Sequence, residues 1–163
     1  MKNSLSVIVP FFNEEKTIED SLRRLLKVDV IEQIICVNDC SKDKSLAIVN
    51  QLKKEDSRIK IISNKVNNGK GFSITSAKKY INTSHVAIHD ADLEYFPEDL
   101  ILMWEKVENF EESLILGSRF IGSRTRKNIY KRTHFANKLM SLFFSLVNFY
   151  KVSDVATCYK LFP

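Results

Sequence analysis

Apolar residues recur along the first two-thirds of this chain in two alternating rhythms: short unbroken runs, and stretches spaced by three or four positions. Residues 5–10 are apolar and β-branched, as a strand buried on both faces requires. Residues 14–27 follow with Ile18, Leu22, Leu25 and Leu26 at the helical period. The alternation continues with a strand at 34–37, a helix opened by Ser41-Lys42-Asp43 and running to residue 52, and a strand at 59–62. A helix over 72–81 and a strand over 85–89 come next. Pro97-Glu98-Asp99 then starts a helix with Leu100, Met103, Trp104 and Val107 on one face, and 114–116 makes a further strand. Strands alternating with helices of this length imply βαβ crossovers. They predict an α/β fold, a three-layer αβα sandwich around a mainly parallel central sheet.

Ligands of such sheets bind beyond the carboxyl ends of the strands, and there the polar residues of this sequence gather. The first strand runs into Pro10-Phe11-Phe12-Asn13-Glu14-Glu15, the second into Asn38-Asp39-Cys40-Ser41-Lys42-Asp43. The third leads to Asn67-Asn68-Gly69-Lys70-Gly71 and the fourth to Asp90-Ala91-Asp92-Leu93-Glu94. Ordinary helix-capping loops account for any one of these clusters. They account poorly for acids, amides, glycines and a lysine at four strand ends in succession.

Asp90 and Asp92 lie two apart, so on extended chain their carboxylates point the same way. Two carboxylates held together repel unless a cation sits between them. Oxygen-only ligands suit Mg²⁺ or Mn²⁺, with water and ligand phosphates completing the shell, and Glu94 is a further candidate ligand or orienting group. A lone Asp-x-Asp is more often a turn or a cap; its place after a buried strand and before a Pro-led helix strengthens it. Asp39 suits a hydrogen bond to a base or ribose, or else an N-cap. Gly69 and Gly71 allow close backbone approach, with Lys70 near phosphate, or they only make the turn. His85, His89 and His134 have no partners at metal spacing, and no Ser/His/Asp or Cys/His arrangement is legible.

Composition narrows the setting. The 163 residues suit one domain, and only 4 Gly and 3 Pro argue against disorder. No N-terminal signal stands out, and no stretch reaches the roughly 18 apolar residues of a membrane span. Cys36, Cys40 and Cys158 are an odd number without metal-site spacing, which reads as a reduced, cytoplasmic setting. The net charge of +5 is unevenly placed. Residues 1–112 carry 16 Lys/Arg against 19 Asp/Glu, residues 113–163 carry 9 against 1, and no acid lies between Glu112 and Asp154. Such a field attracts phosphates or acidic lipid headgroups. The acidic first two-thirds argues against nucleic acid as a partner.

The ordered set of motifs resembles glycosyltransferase family 2, whose members share the nucleotide-diphospho-sugar transferase (GT-A) fold, a Rossmann-like architecture. Ser6-Val7-Ile8-Val9-Pro10-Phe11-Phe12-Asn13-Glu14-Glu15 looks like the family's first strand. Val37-Asn38-Asp39-Cys40-Ser41-Lys42-Asp43 is similar to its Val-Asp-Asp-Gly-Ser-x-Asp element, with Asn38 and Cys40 replacing the usual Asp and Gly. Asn68-Gly69-Lys70-Gly71 and Asp90-Ala91-Asp92-Leu93-Glu94 look like its third and fourth elements. Gly117-Ser118-Arg119-Phe120 and the segment from Asp154 to Phe162 resemble its dolichyl- or polyprenyl-phosphate sugar transferase branch. The resemblance implies that Pro10, Phe12, Asn13, Glu14, Asp39, Lys70, Asp90 and Ala91 hold the nucleotide sugar. It implies a metal on Asp90, Asp92 and Glu94, phosphate contacts from Arg119 and Arg132, and Asp154 near the sugar or acceptor. Asp92, Asp154, Arg119 and Arg132 are thus the expected catalytic set.

That reading is an inverting hexosyltransferase with a UDP- or GDP-linked donor, Mg²⁺ or Mn²⁺, and a polyprenyl or dolichyl phosphate acceptor. Such an acceptor is already anionic near neutral pH and needs no dedicated base; a sugar hydroxyl would need one, with Asp154 the first candidate. We expect one catalytic domain over 1–163, without the C-terminal membrane-proximal elements with which many relatives continue. Arg119, Arg124, Arg126, Lys127, Lys131 and Arg132 precede an apolar-rich helix over 134–150. That helix either packs on the sheet through Phe143, Leu146 and Val147 or rests peripherally on an anionic membrane at its cytoplasmic face. Two other readings stay open: a nucleotide-binding module without turnover, and a nucleotidyltransferase, for which a Gly-rich loop after the first strand is missing.

Overall fold

The computed structural model describes residues 3–107, 113–121 and 131–163, the side chains of 131–133 excepted. The first strand, β1 (Leu5–Phe11), is buried along its whole length, because parallel neighbours flank it on both sides. These are β2 (Ile31–Asn38) and β4 (His85–Ile88), and β3 (Ile59–Ser63) pairs in parallel with β2. A short β5 (Ile115–Leu116) and β6 (Lys160–Phe162) complete a six-stranded sheet in the order β3-β2-β1-β4-β6-β5. β6 runs antiparallel to both of its neighbours.

Alternate residues of the central strands feed two cores. Leu5, Val7 and Val9 meet Ile18, Leu22 and Leu25 of α1 (Ile18–Leu25), Val49 and Leu52 of α2 (Ser45–Glu55), and Leu100 and Met103 of α4 (Asp99–Val107). Ile8, Ile35 and Val37 face the other way, onto Ala77 and Ile74 of α3 (Lys70–Ala77). The result is the αβα sandwich expected from the hydrophobic rhythm.

Several boundaries differ from the periodicity by one to four residues, and three helix starts show local reasons. α1 begins at Ile18 rather than residue 14, because 14–17 form a turn in which the Glu14 carbonyl accepts from Thr17 and Ile18 N–H. α2 begins at Ser45 rather than Ser41, since 41–44 are engaged with the preceding loop. α3 starts two residues early and tightens into a 3-10 turn, Lys78–Tyr80. β6 was not expected; three residues are too few to show a period, and pairing with β4 and β5 makes them a strand.

The fifth helix, α5 (Lys131–Asn148), is oriented unlike the others. Its serines face the protein: the Ser141 hydroxyl accepts from Val155 N–H at 3.0 Å, and that of Ser145 from Val152 N–H at 2.9 Å. Phe143, Leu146 and Val147 are 68%, 65% and 58% exposed. The expectation that these three pack on the sheet is therefore not met among the described residues.

Candidate active site

Two loops are laced together before any ligand is considered. Asn13, in the left-handed region at φ 56, receives Lys42 N–H on its side-chain oxygen at 2.8 Å and donates its own N–H to Ser41. Glu14 N–H reaches the Ser45 hydroxyl at 2.8 Å, and Glu15 N–H the Asp43 carboxylate at 3.0 Å. Burial opposes the Asp43 charge, but bonds from Ser45 and Glu15 outweigh it and hold the carboxyl below its ordinary range. The Asn38 side-chain oxygen accepts from Ser41 N–H at 2.9 Å. Cys40 has φ 65, a conformation natural to glycine, which explains why a Gly is usual at that motif position.

Beyond the carboxyl ends of β1, β2 and β4 this lacing frames a cavity of about 450 Å³. Of the residues expected to bind nucleotide sugar or metal, Pro10, Phe12, Glu14, Asp39, Lys70, Asp90, Ala91 and Asp92 line it. Asn13 does not, because its carboxamide ties the two loops together. Asn67, named only as part of the third strand-end cluster, and Ser73, which was not anticipated, also line the wall; a serine one turn into the helix after a Gly loop was the available signal.

Asp39 is buried and already bonded. Its carboxylate accepts from the Asn64 amide at 2.7 Å, from Asn68 N–H at 3.1 Å and from Gly69 N–H at 2.7 Å. Burial alone would raise its pKa; these bonds, with one from Ser73, lower it instead. It is not the cap of α2, one of the two roles foreseen for it. It fastens the loop that starts α3, with Gly69 at φ 83, and so places Lys70 over the cavity.

Asp90 follows β4 directly. The preceding His89 points inward and is fixed there by the Ser21 hydroxyl at 2.9 Å and the Tyr159 hydroxyl at 2.7 Å. Burial lowers its pKa to about 4 and keeps the ring neutral. The next side chain is thereby turned to the cavity. Asp92 accepts Glu94 N–H at 2.9 Å, and Leu93 at φ 62 completes the turn.

Asp90 and Asp92 fit a hard divalent cation: two carboxylates on one wall, with room beside them for phosphate oxygens and water. Glu94 does not join them. It lines a neighbouring cavity of about 360 Å³, with its Oε1 3.4 Å from the Arg119 guanidinium. Among the described residues no three His, Cys, Asp or Glu side chains form a ready-made cage.

Arg119 also lines that second cavity, held from behind by Asp154. The guanidinium donates from Nε at 2.8 Å and from its NH2 group at 3.0 Å, and the Arg119 backbone N–H donates to the same carboxylate. The Asp154 side chain is 0% exposed. Burial opposes its charge, yet the Arg119 bonds keep its pKa below the usual range, and the same pair raises that of Arg119. Asp154 thus positions Arg119; it does not face the reacting space as a general base must. The Arg132 side chain, and Arg124, Arg126 and Lys127, lie outside the described residues.

Residues 6–163 match the family described as glycosyl transferase family 2. An uncharacterized glycosyltransferase of Synechocystis sp. is 32% identical over 144 residues, covering 80% of this chain and 44% of the relative. The dolichyl-phosphate beta-glucosyltransferase of Trichomonas vaginalis is 25% identical over 171 residues, or 97% of this chain and 52% of its own length. A solved structure of glucosyl-3-phosphoglycerate synthase from Mycobacterium tuberculosis, in complex with Mn²⁺, UDP and phosphoglyceric acid, superposes with a TM-score of 0.72 at 17% identity. It covers 98% of this chain and 55% of that one, and shows the shared GT-A fold. The chain spans about half the length of these proteins. With its motifs in order on that fold and a family match over nearly its whole length, the chain belongs to glycosyl transferase family 2.

Proposed function

We propose that this chain transfers a hexose from a UDP- or GDP-linked donor to a polyprenyl or dolichyl phosphate, with Mg²⁺ or Mn²⁺ and with inversion at the anomeric carbon. One observation carries the donor half of the reading: a single cavity beyond β1, β2 and β4 gathers Asp39, Lys70, Asp90 and Asp92. The cation held by Asp90 and Asp92 neutralises charge on the departing diphosphate. Lys70 supplies a second positive charge at the same wall, and Pro10 and Phe12 offer apolar surface to the base.

The acceptor half is supported by the second cavity. Arg119 and Lys160 line it beside Lys70, and the one carboxylate first considered as a base is buried against Arg119. With Lys70, Arg119 and Lys160 against Asp90 and Glu94, that cavity carries an excess of positive charge, which suits an acceptor that is already anionic, and a phosphate is one. The Trichomonas relative, named for dolichyl phosphate, agrees with that choice. The outward apolar face of α5 and the acid-free stretch around it suit an anionic lipid surface, where such an acceptor resides. No helix among the described residues is long and apolar enough to cross a membrane.

Calorimetric titration of UDP and GDP, with and without Mn²⁺, tests the donor site. One nucleotide should bind in a Mn²⁺-dependent way, and Asp92→Ala should weaken that binding by at least the roughly 100-fold that even outer partners of a metal can cost. Undiminished binding by the variant would sink the metal assignment. Transfer from the bound donor to a short polyprenyl phosphate then separates an enzyme from a binding module.

A further inference from the structure

Lys70 and Asp90 line both cavities, and among the described residues no other side chain does. Their ion pair, 2.5 Å from Nζ to Oδ1, lies where the linings of the two spaces meet. The backbones on either side are well held. Lys70 opens α3 behind the loop that Asp39 fastens, and Asp90 follows a strand in register with β1. The Lys70 side chain is the freer of the two, at 47% exposure against 20% for Asp90. The other contact of Nζ is the Cys158 sulfur at 3.0 Å, a poor acceptor. Burial pushes that thiol up to about 12, so it adds no charge.

Charge around the first cavity is one-sided. Its described lining holds Glu14, Asp39, Asp90 and Asp92 against the single cation Lys70. Asp39 is satisfied by its amide and backbone donors, so the ammonium serves Asp90. A divalent cation on Asp90 and the Lys70 ammonium would repel each other at such range, while a diphosphate in the same cavity would attract the lysine.

We propose that Lys70 is a built-in counter-ion and gate: it holds Asp90 while no divalent cation is bound, then leaves Asp90 for the donor diphosphate and opens the first cavity onto the Arg119 cavity. The inference rests on the donor-site reading above. It makes cation and donor bind as a pair, and makes access to the acceptor side follow from them.

The test is Mn²⁺ affinity, read from the paramagnetic resonance of free Mn²⁺, without and with the nucleotide that binds. It compares the wild-type chain with Lys70→Met, Lys70→Arg and Asp92→Ala. Lys70→Met should bind Mn²⁺ alone about tenfold more tightly and lose about tenfold of the tightening that nucleotide confers. Lys70→Arg keeps the charge and should not show the gain in affinity for Mn²⁺ alone that Lys70→Met shows. Lys70→Met with wild-type circular dichroism but no gain in affinity for Mn²⁺ alone would overturn the gate. If Asp92→Ala loses nucleotide-dependent Mn²⁺ binding, that failure belongs to Lys70 alone; if Asp92→Ala keeps it, the donor-site reading falls and the gate with it.

Discussion

In residues 5–107 most of the apolar side chains are inside and the polar ones at the strand ends bond to one another; in α5 serines face the body while leucines and phenylalanines face outward. The first region is made of parallel strands with helices over both faces, the second of short antiparallel strands and one helix attached by a polar seam. Charge divides the same way, acidic before residue 113 and basic after it. The nucleotide cavity and most of the core belong to the first region. The second adds Tyr159 and Leu161 to that core, contributes Arg119, and carries on α5 a surface whose apolar residues lie outside it. Among the described residues the two meet at β6 on β4, β5 on α4, Tyr159 on His89 and Tyr95, Cys158 on Tyr95 and Lys70, and Arg119 on Glu94.

The regions part most sharply at Asp154. Asp154→Ala leaves the part-buried Arg119 guanidinium with only Glu94 at 3.4 Å and should lower stability by about 1.5–3 kcal/mol, read from the urea midpoint. Mn²⁺-dependent nucleotide binding should stay within about threefold, because the cavity wall is built elsewhere. Loss of that binding from a folded variant would mean that the two regions act as one unit.

A smaller effect comes from the joint between them. His89 is lowered to about 4 in the fold from an ordinary 6.5, so between those values the unfolded chain binds a proton that the native state refuses. Stability should therefore fall as pH drops from about 6.5 toward 4, by at most about 1.4 kcal/mol per pH unit for this one group. Thermal melts of His89→Gln should show a shallower slope over that window; an unchanged slope would assign the loss to other groups. Asp39, Asp43 and Asp154, all depressed, contribute above the ordinary carboxylate range and are lost at more acid pH.

The smallest expected change in stability tests the outer region. Phe143→Ser with Leu146→Ser should alter stability by no more than about 0.5 kcal/mol per site, as at an exposed surface, whereas a buried Leu would cost about 2–5 kcal/mol. The same pair should reduce sedimentation with vesicles rich in anionic phosphatidylglycerol. A large drop in stability would show that the face is covered in the free protein, and undiminished vesicle binding would dismiss it as the lipid contact.

The sequence by itself determined the strands and helices of the first two-thirds, because a residue buried on a strand or a helix face must recur at that element's own period. It also marked Asp39, Lys70, Asp90 and Asp92, since polar residues repeated at strand ends have no core role. What each does was decided only by tertiary structure. Asn13 and Asp43 became loop fasteners, Glu94 turned to Arg119, and Asp154 became the support of that arginine rather than a base. Partners 25 to 35 residues apart in sequence chose those roles, and no local spacing records them. The outward face of α5 was equally hidden, because an apolar stripe has the same period whether it meets a core or a membrane.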